Sequence, residues 1–196
     1  MNDCNKIKMK NILILIIFFL SFFTIEARSE MLILDRLENP GQTTQGQRWS
    51  FFTDGVMGGV SEGSVKLDKI NNIFCYRMIG NVTTENNGGF IQIRSLLKPN
   101  INGSDYEGIY FKVFGNNKKY FIHLRTQYTV APWQYYSFGF EANEEWLEIK
   151  VPLEEFKKSN FYQPKSLKKQ KIQTIGLVAA FDDFDADICL AEIGFY

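Results

Sequence analysis

Apolar and polar residues alternate with a period of two along most of this chain, in runs too short for helices of ordinary length. Met31–Leu34 opens the series. Ser64–Asp68 follows, then Phe74–Gly80, in which Phe74, Tyr76 and Met78 share one face. In Phe90–Ser95 the aliphatic Ile91 and Ile93 take one face, and Phe90, Gln92 and Arg94 take the other. Gly108–Phe114 and Tyr120–Arg125 flank a hairpin signal at Gly115-Asn116-Asn117. In the second of these, Ile122 and Leu124 oppose Phe121, His123 and Arg125. Tyr135–Phe140, Trp146–Val151, Ile172–Ala180 and Ile188–Tyr196 complete the set. The run at 172–180 is largely apolar and predicts a buried strand. Segments rich in Gly, Asn and Pro separate these runs: a polar loop at 39–46, a loop from Pro99 to Glu107, a polar basic loop at 159–171 and an acidic turn at Asp182–Asp187. Leu153–Lys157 has room for one helical turn. Many short strands with almost no 3.6-residue period predict an all-β protein, an antiparallel β-sandwich of jelly-roll type, forming one domain over residues 30–196.

The first 29 residues follow a different pattern. Lys6, Lys8 and Lys10 precede an unbroken apolar run from Ile12 to Leu20 that extends through Phe22 and Phe23. Ala27-Arg28-Ser29 then supplies a small-x-small site. A basic segment, a short apolar core and such a site predict a signal peptide cleaved after Ser29, with export to the periplasm or beyond. The alternative is an uncleaved N-terminal anchor, which would be the only route to a membrane. Cleavage removes four of the 22 basic residues and two of the 22 acidic ones, leaving a net charge of −2. No basic field remains to attract nucleic acid. Two of the three cysteines survive, Cys75 and Cys189. In an exported protein they could pair as a disulfide, or each could be buried as a separate thiol.

Glycines concentrate in two places. Trp49 leads into Asp54-Gly55-Val56-Met57-Gly58-Gly59-Val60-Ser61, and Gly80-Asn81-Val82 leads into Asn86-Asn87-Gly88-Gly89-Phe90 with Arg94 beyond. In order and spacing these motifs resemble the complex I intermediate-associated protein 30 family. Fainter echoes are Gly108-Ile109, Tyr120 ahead of Leu124-Arg125, Pro152 with Phe156, and Ile175-Gly176. The resemblance runs from about Leu32 to Tyr196. It implies a galactose-binding-like jelly roll and a non-catalytic role, since mitochondrial members are assembly chaperones for respiratory complex I and the fold recurs in carbohydrate-binding modules. The secretory leader departs from the matrix location of the mitochondrial factor.

Read from the residues, the two motif loops are structural turns or binding loops. Asp54 suits an Asx-turn to its own backbone, with Gly58, Gly59, Gly88 and Gly89 supplying backbone freedom. Ser61 and Asn87 are polar groups able to meet a ligand. The first loop is expected mainly to close the sandwich, with Met57 buried. The contact surface is expected elsewhere. Arg94 and Arg125 end strands and point away from the aliphatic face, so with Gln92, His123 and Tyr128 they could form a polar patch suited to carboxylates. The competing reading makes both arginines members of structural salt bridges. His123, the lone histidine, reads as a satisfied strand residue. Trp133 and Tyr135, after Ala131-Pro132, suit sugar stacking, a protein hot spot or the core. The aspartates at 182–187 lack the glycine and closing glutamate of an EF-hand loop. Nucleotide-loop, zinc and nucleophile-elbow motifs do not occur, so no catalytic residue, metal or cofactor is predicted. The expected partner is a protein, with subunits of a membrane complex as candidates, and carbohydrate is the alternative.

Overall fold

Twelve strands and four short 3-10 turns make up the regular structure in residues 31–196, which are the residues the computed structural model describes. The strands are β1 (Leu32–Asp35), β2 (Trp49–Thr53), β3 (Glu62–Ile70), β4 (Ile73–Val82), β5 (Phe90–Asn102) and β6 (Gly108–Phe114). They continue with β7 (Lys118–Thr126), β8 (Tyr136–Ala142), β9 (Leu147–Pro152), β10 (Lys157–Lys158), β11 (Lys171–Ala180) and β12 (Phe184–Phe195). The predicted leader at 1–29 lies outside the described residues. Among those described, no helix is long and apolar enough to cross a membrane.

Two six-stranded antiparallel sheets form the sandwich. One runs β3-β4-β12-β6-β9, with β1 also paired to β12, and the other runs β10-β8-β7-β11-β5-β2. The all-β class and the jelly-roll sandwich expected from the alternating pattern are both present. Period-two alternation builds the core. Ile91, Ile93 and Leu97 of β5, Ile122 and Leu124 of β7, and Ile175 and Leu177 of β11 point inward, toward Met78, Ile109, Phe111, Val113 and Ile188 of the opposite sheet. Phe111 and Phe140 meet across the layers with ring centroids 4.8 Å apart. Each fully buried aliphatic or aromatic side chain contributes about 1.5–3 kcal/mol. A polar tie adds to this at one end. Buried Asp35 accepts hydrogen bonds from Trp49 Nε1 at 2.6 Å and Tyr76 Oη at 3.1 Å, so β1 is linked to a strand of each sheet.

Several local expectations are corrected. The stretch from Pro99 is not a loop at its start, because β5 continues to Asn102. The ladder to β11 passes from Leu96↔Thr174 to Ile101↔Ile172, and the bulge between them leaves Pro99 where no N–H is needed. The acidic turn is shorter than predicted. β12 begins at Phe184, so Asp185 and Asp187 stand on a strand. Asp187 takes a bidentate contact from Arg77, at 2.8 and 2.6 Å. Phe74 shares a face with Tyr76 and Met78 but lies far enough along the β3–β4 hairpin to be exposed. Cys75 and Cys189 form a disulfide on neighbouring strands, with Cα atoms 5.4 Å apart. It sits in a small apolar cluster with Ile70, Ile73, Phe114 and Trp146, separate from the main core.

Candidate functional site

The first glycine motif folds around a carboxylate. Thr53 caps a 3-10 turn over Asp54–Met57 by accepting from Gly55 N at 3.1 Å, and Gly58 ends it at φ +90°. Asp54 is the residue of that turn that faces inward, and it is fully buried. Its carboxylate does not bond its own turn as an Asx-turn would. Oδ1 accepts from Ser61 N at 2.9 Å. Oδ2 accepts from Ser61 Oγ at 2.6 Å, Gly89 N at 2.5 Å and Phe90 N at 3.2 Å. One side chain therefore clasps the two glycine motifs together. Burial pushes this carboxyl up, but the four donors outweigh burial and hold it below its ordinary value of 3.8. The glycines of the clasp are needed for space. A Cβ on Gly59 would lie 2.3 Å from Asp54 Cγ, and one on Gly88 would lie 2.4 Å from Oδ2.

Because Asp54 takes the interior position, the apolar residues of the turn face outward. Met57 is 56% exposed, not buried as expected, and Val56 is exposed as well. Both line the rim of a cleft of about 800 Å³ on the outer face of the β8-β7-β11-β5-β2 sheet. Its floor is β11, whose outward residues Thr174, Gly176, Val178 and Ala180 are small. One wall is Phe52 of β2 with Phe90, Gln92 and Arg94 of β5, continued by Gly88 and Gly89. The other wall is His123 and Arg125 of β7 with Pro132, Trp133 and Tyr135 of the following loop, and Phe181 lies beyond the end of β11. Gly176 pairs with Arg94 on one side and with His123 on the other. The two walls therefore face each other across a position with no side chain.

Among the described residues, neither arginine of the cleft meets a carboxylate, and two other polar groups of its lining have no hydrogen-bond partner. Arg94 makes no salt bridge among the described residues; its Cζ lies 4.6 Å from the centre of the Phe52 ring. Arg125 donates from Nη2 to the carbonyls of Thr129 and Ala131, each at 2.9 Å, and likewise meets no carboxylate. The salt-bridge reading of these arginines is therefore replaced. Burial lowers both guanidinium pKa values, and Arg94 lowers that of Arg125 further. His123 stacks on Tyr135 with ring centroids 4.0 Å apart and planes 9° apart. Its Nε2 is buried without a hydrogen-bond partner, contrary to the satisfied histidine expected, and burial holds its pKa down to about 3. Thr174 Oγ1 is buried and unpartnered too.

Six of the seven residues proposed for the contact surface thus share one cleft: Gln92, Arg94, His123, Arg125, Trp133 and Tyr135. Tyr128 does not join them. Beyond β7 the chain turns tightly, with Thr126 and Thr129 bonded to each other, and Tyr128 stands 50% exposed on the outside of that turn. Asn87 is also outside the cleft lining. Its backbone is left-handed, at φ +58°, a conformation asparagine tolerates well. Sequence reasoning missed Phe52, Phe181 and the whole floor. The available signal was the size of alternate residues in β11: Ile175 and Leu177 are large, whereas Gly176, Val178 and Ala180 are smaller.

Two antiparallel sheets with a cleft on one sheet face define a jelly-roll β-sandwich of the galactose-binding-like class. Solved structures agree on this fold. The family 11 carbohydrate-binding module of the cellulosomal cellulase Lic26A-Cel5E of Clostridium thermocellum matches at TM-score 0.64 and 16% identity, over 85% of this chain and 94% of that one. The family 11 module from the same organism in complex with a beta-1,3-1,4-mixed-linked tetrasaccharide matches at 0.63 and 16% identity, over 84% and 94%. A family 30 carbohydrate-binding module matches at 0.51 and 14% identity, over 70% and 91%. The chain belongs to the Complex I intermediate-associated protein 30 (CIA30) family, whose sequence model matches residues 39–191. No curated protein matches it.

Proposed function

We propose that this protein is a non-catalytic binding module that holds a protein partner in the cleft, in the manner of an assembly factor for a membrane complex. The observation that carries this reading is the composition of the cleft. Two guanidiniums without carboxylate partners lie within a rim of exposed Val56, Met57, Trp133 and Phe181. Arginine, methionine and aromatic residues are enriched in the buried centres of protein interfaces. Family membership supports an assembly role. The cleft lining contains no carboxylate or thiol, and an imidazole with a pKa near 3 is a poor general base at neutral pH, which supports a non-catalytic role. The leader pattern and the disulfide together support an exported protein in an oxidising compartment. The test is photo-crosslinking from position 57 or 133 in native membranes, followed by mass spectrometry. A defined protein adduct, lost on competition with unlabelled protein, is expected. Crosslinks spread over abundant proteins without competition would refute it.

Carbohydrate is a second reading, favoured by the stacked His123–Tyr135 pair and exposed Trp133 beside the neutral polar groups Gln92 and Thr174. Flat rings next to hydroxyl-binding groups suit sugars. Binding on a glycan array that Trp133→Ala abolishes would establish this reading in place of the first.

A further inference from the structure

We propose that the cleft anchors its polypeptide partner through a carboxylate, seated between Arg94 and Arg125. The inference rests on the cleft being the binding surface, and it names the chemistry recognised there. Charge is the first argument. Two guanidiniums face one cleft whose lining has no acidic residue, so their charge has no counterpart in the cleft. They are near enough for one to disfavour the charge on the other, and both are partly removed from water. Like charges in that position destabilise the empty protein, and an anion between them offsets the cost.

Geometry is the second argument. Arg94 lies over the Phe52 ring, and among the described residues its side-chain N–H groups make no hydrogen bond, so they are free to donate. Nη2 of Arg125 is held by two carbonyls, so the group cannot swing out to solvent, while its other N–H groups remain available. Gly176 leaves the space between the two walls open. The floor adds a neutral hydroxyl, Thr174 Oγ1, and the β7 wall a neutral ring nitrogen, His123 Nε2, both without partners.

The rim favours a peptide over an acidic sugar. Val56, Met57 and Phe181 are exposed and apolar, suited to side chains beside a carboxylate but not to a ring of hydroxyls. The cleft lies on a sheet face, where strand edges are unavailable for backbone pairing, so recognition must act through side chains such as these arginines.

The test measures binding of a random glutamate–tyrosine copolymer, of polygalacturonate and of neutral mixed-linkage β-glucan at low salt. The proteins are wild type, Arg94→Gln, Trp133→Ala and a control, Lys98→Gln, which removes an exposed charge from the same strand outside the cleft lining. The copolymer is expected to bind wild type, with affinity reduced at least about tenfold in Arg94→Gln and little changed in Lys98→Gln. Arg94→Gln is also expected to melt at the same temperature as wild type or higher, because it removes an uncompensated charge; a purely structural arginine would give a lower melting temperature. Equal losses in the Arg94 and Lys98 variants would reduce the effect to general electrostatics and overturn the proposal. Tighter binding of polygalacturonate, sensitive to Arg94, would overturn the choice of a polypeptide. Binding of neutral glucan that needs Trp133 but not Arg94 would sink the carboxylate while leaving the cleft as a binding site. No binding of any probe, with no specific crosslink from position 133, would overturn both.

Discussion

Four donors converge on the Asp54 carboxylate, which has no access to solvent. In Asp54→Asn an amide would take the place of one oxygen. In the position of Oδ2 its N–H groups would face the hydroxyl of Ser61 and the backbone N–H groups of Gly89 and Phe90. We expect a loss of about 2–4 kcal/mol, read as a lower urea midpoint with unchanged slope; an unchanged midpoint would disprove the clasp. The same residue sets an acid limit. A carboxyl whose folded pKa lies below its ordinary 3.8 contributes stability that is complete above that value and is lost as pH falls through the folded one. Wild type should therefore lose stability in acid more steeply than Asp54→Asn, and parallel curves would count against the assignment. The clasp also separates two kinds of glycine. Gly88→Ala should cost several kcal/mol, because its Cβ would meet Asp54 at 2.4 Å. Gly41→Ala, at φ +89° with nothing within 4 Å, should cost only about 1 kcal/mol of backbone strain. Comparable losses for the two would show that close approach to Asp54 is not what Gly88 serves. Residue types in this loop were legible from the sequence; their direction was not. Val56 and Met57 look like core residues until the partners of Asp54, some 35 positions away, are known.

Among the elements, β11 is the central strand of the cleft sheet, paired on both sides, whereas β10 has two residues and β2 pairs only with β5. Native-state hydrogen exchange should find the amides of Ile175 and Leu177 among the slowest, and those of β10 and the outer side of β2 faster by orders of magnitude. Uniform protection across the sheet would contradict this ordering. Most strands could be read from alternation alone, because each buries one face. The misreadings came where a local signal competed with tertiary pairing. Pro99 looked like a terminator, and a bulge accommodates it. The aspartates at 185 and 187 looked like turn residues, yet they alternate with Phe184, Ala186 and Ile188 as outward strand positions should. β11 is buried from Thr174 to Ala180, as the pattern predicted; what the pattern did not show is that its outward residues floor a cleft, because small apolar residues line a cleft as readily as they fill a core.

For the whole molecule, the disulfide joins positions 114 residues apart, so it restricts a large part of the unfolded chain. The double variant Cys75→Ala, Cys189→Ala should unfold about 2–4 kcal/mol more easily than the oxidised protein and match the reduced one closely. If oxidised wild type and the variant share a midpoint, the cross-link does not contribute to stability. Sequence alone could not decide the pairing, because the distance between β4 and β12 emerges only when the sheet is assembled. The cleft was legible in parts. Alternation put Gln92 with Arg94 and His123 with Arg125, but that these pairs flank a common strand depends on β11 arriving from about 50 residues later in the chain.

The two walls of the cleft have separate origins. One is built on the Asp54 clasp, where a changed residue is felt by the fold before it is felt by a ligand. The other stands on β7 and the loop after it, where Arg125, Trp133 and Tyr135 can be exchanged with little consequence for the clasp. Mutation can therefore rewrite one side of the cleft while the other stays fixed. Proteins sharing the Asp54–Gly89 signature would then be recognisable as kin by the wall that is costly to alter, and would differ in the side chains that the other wall presents.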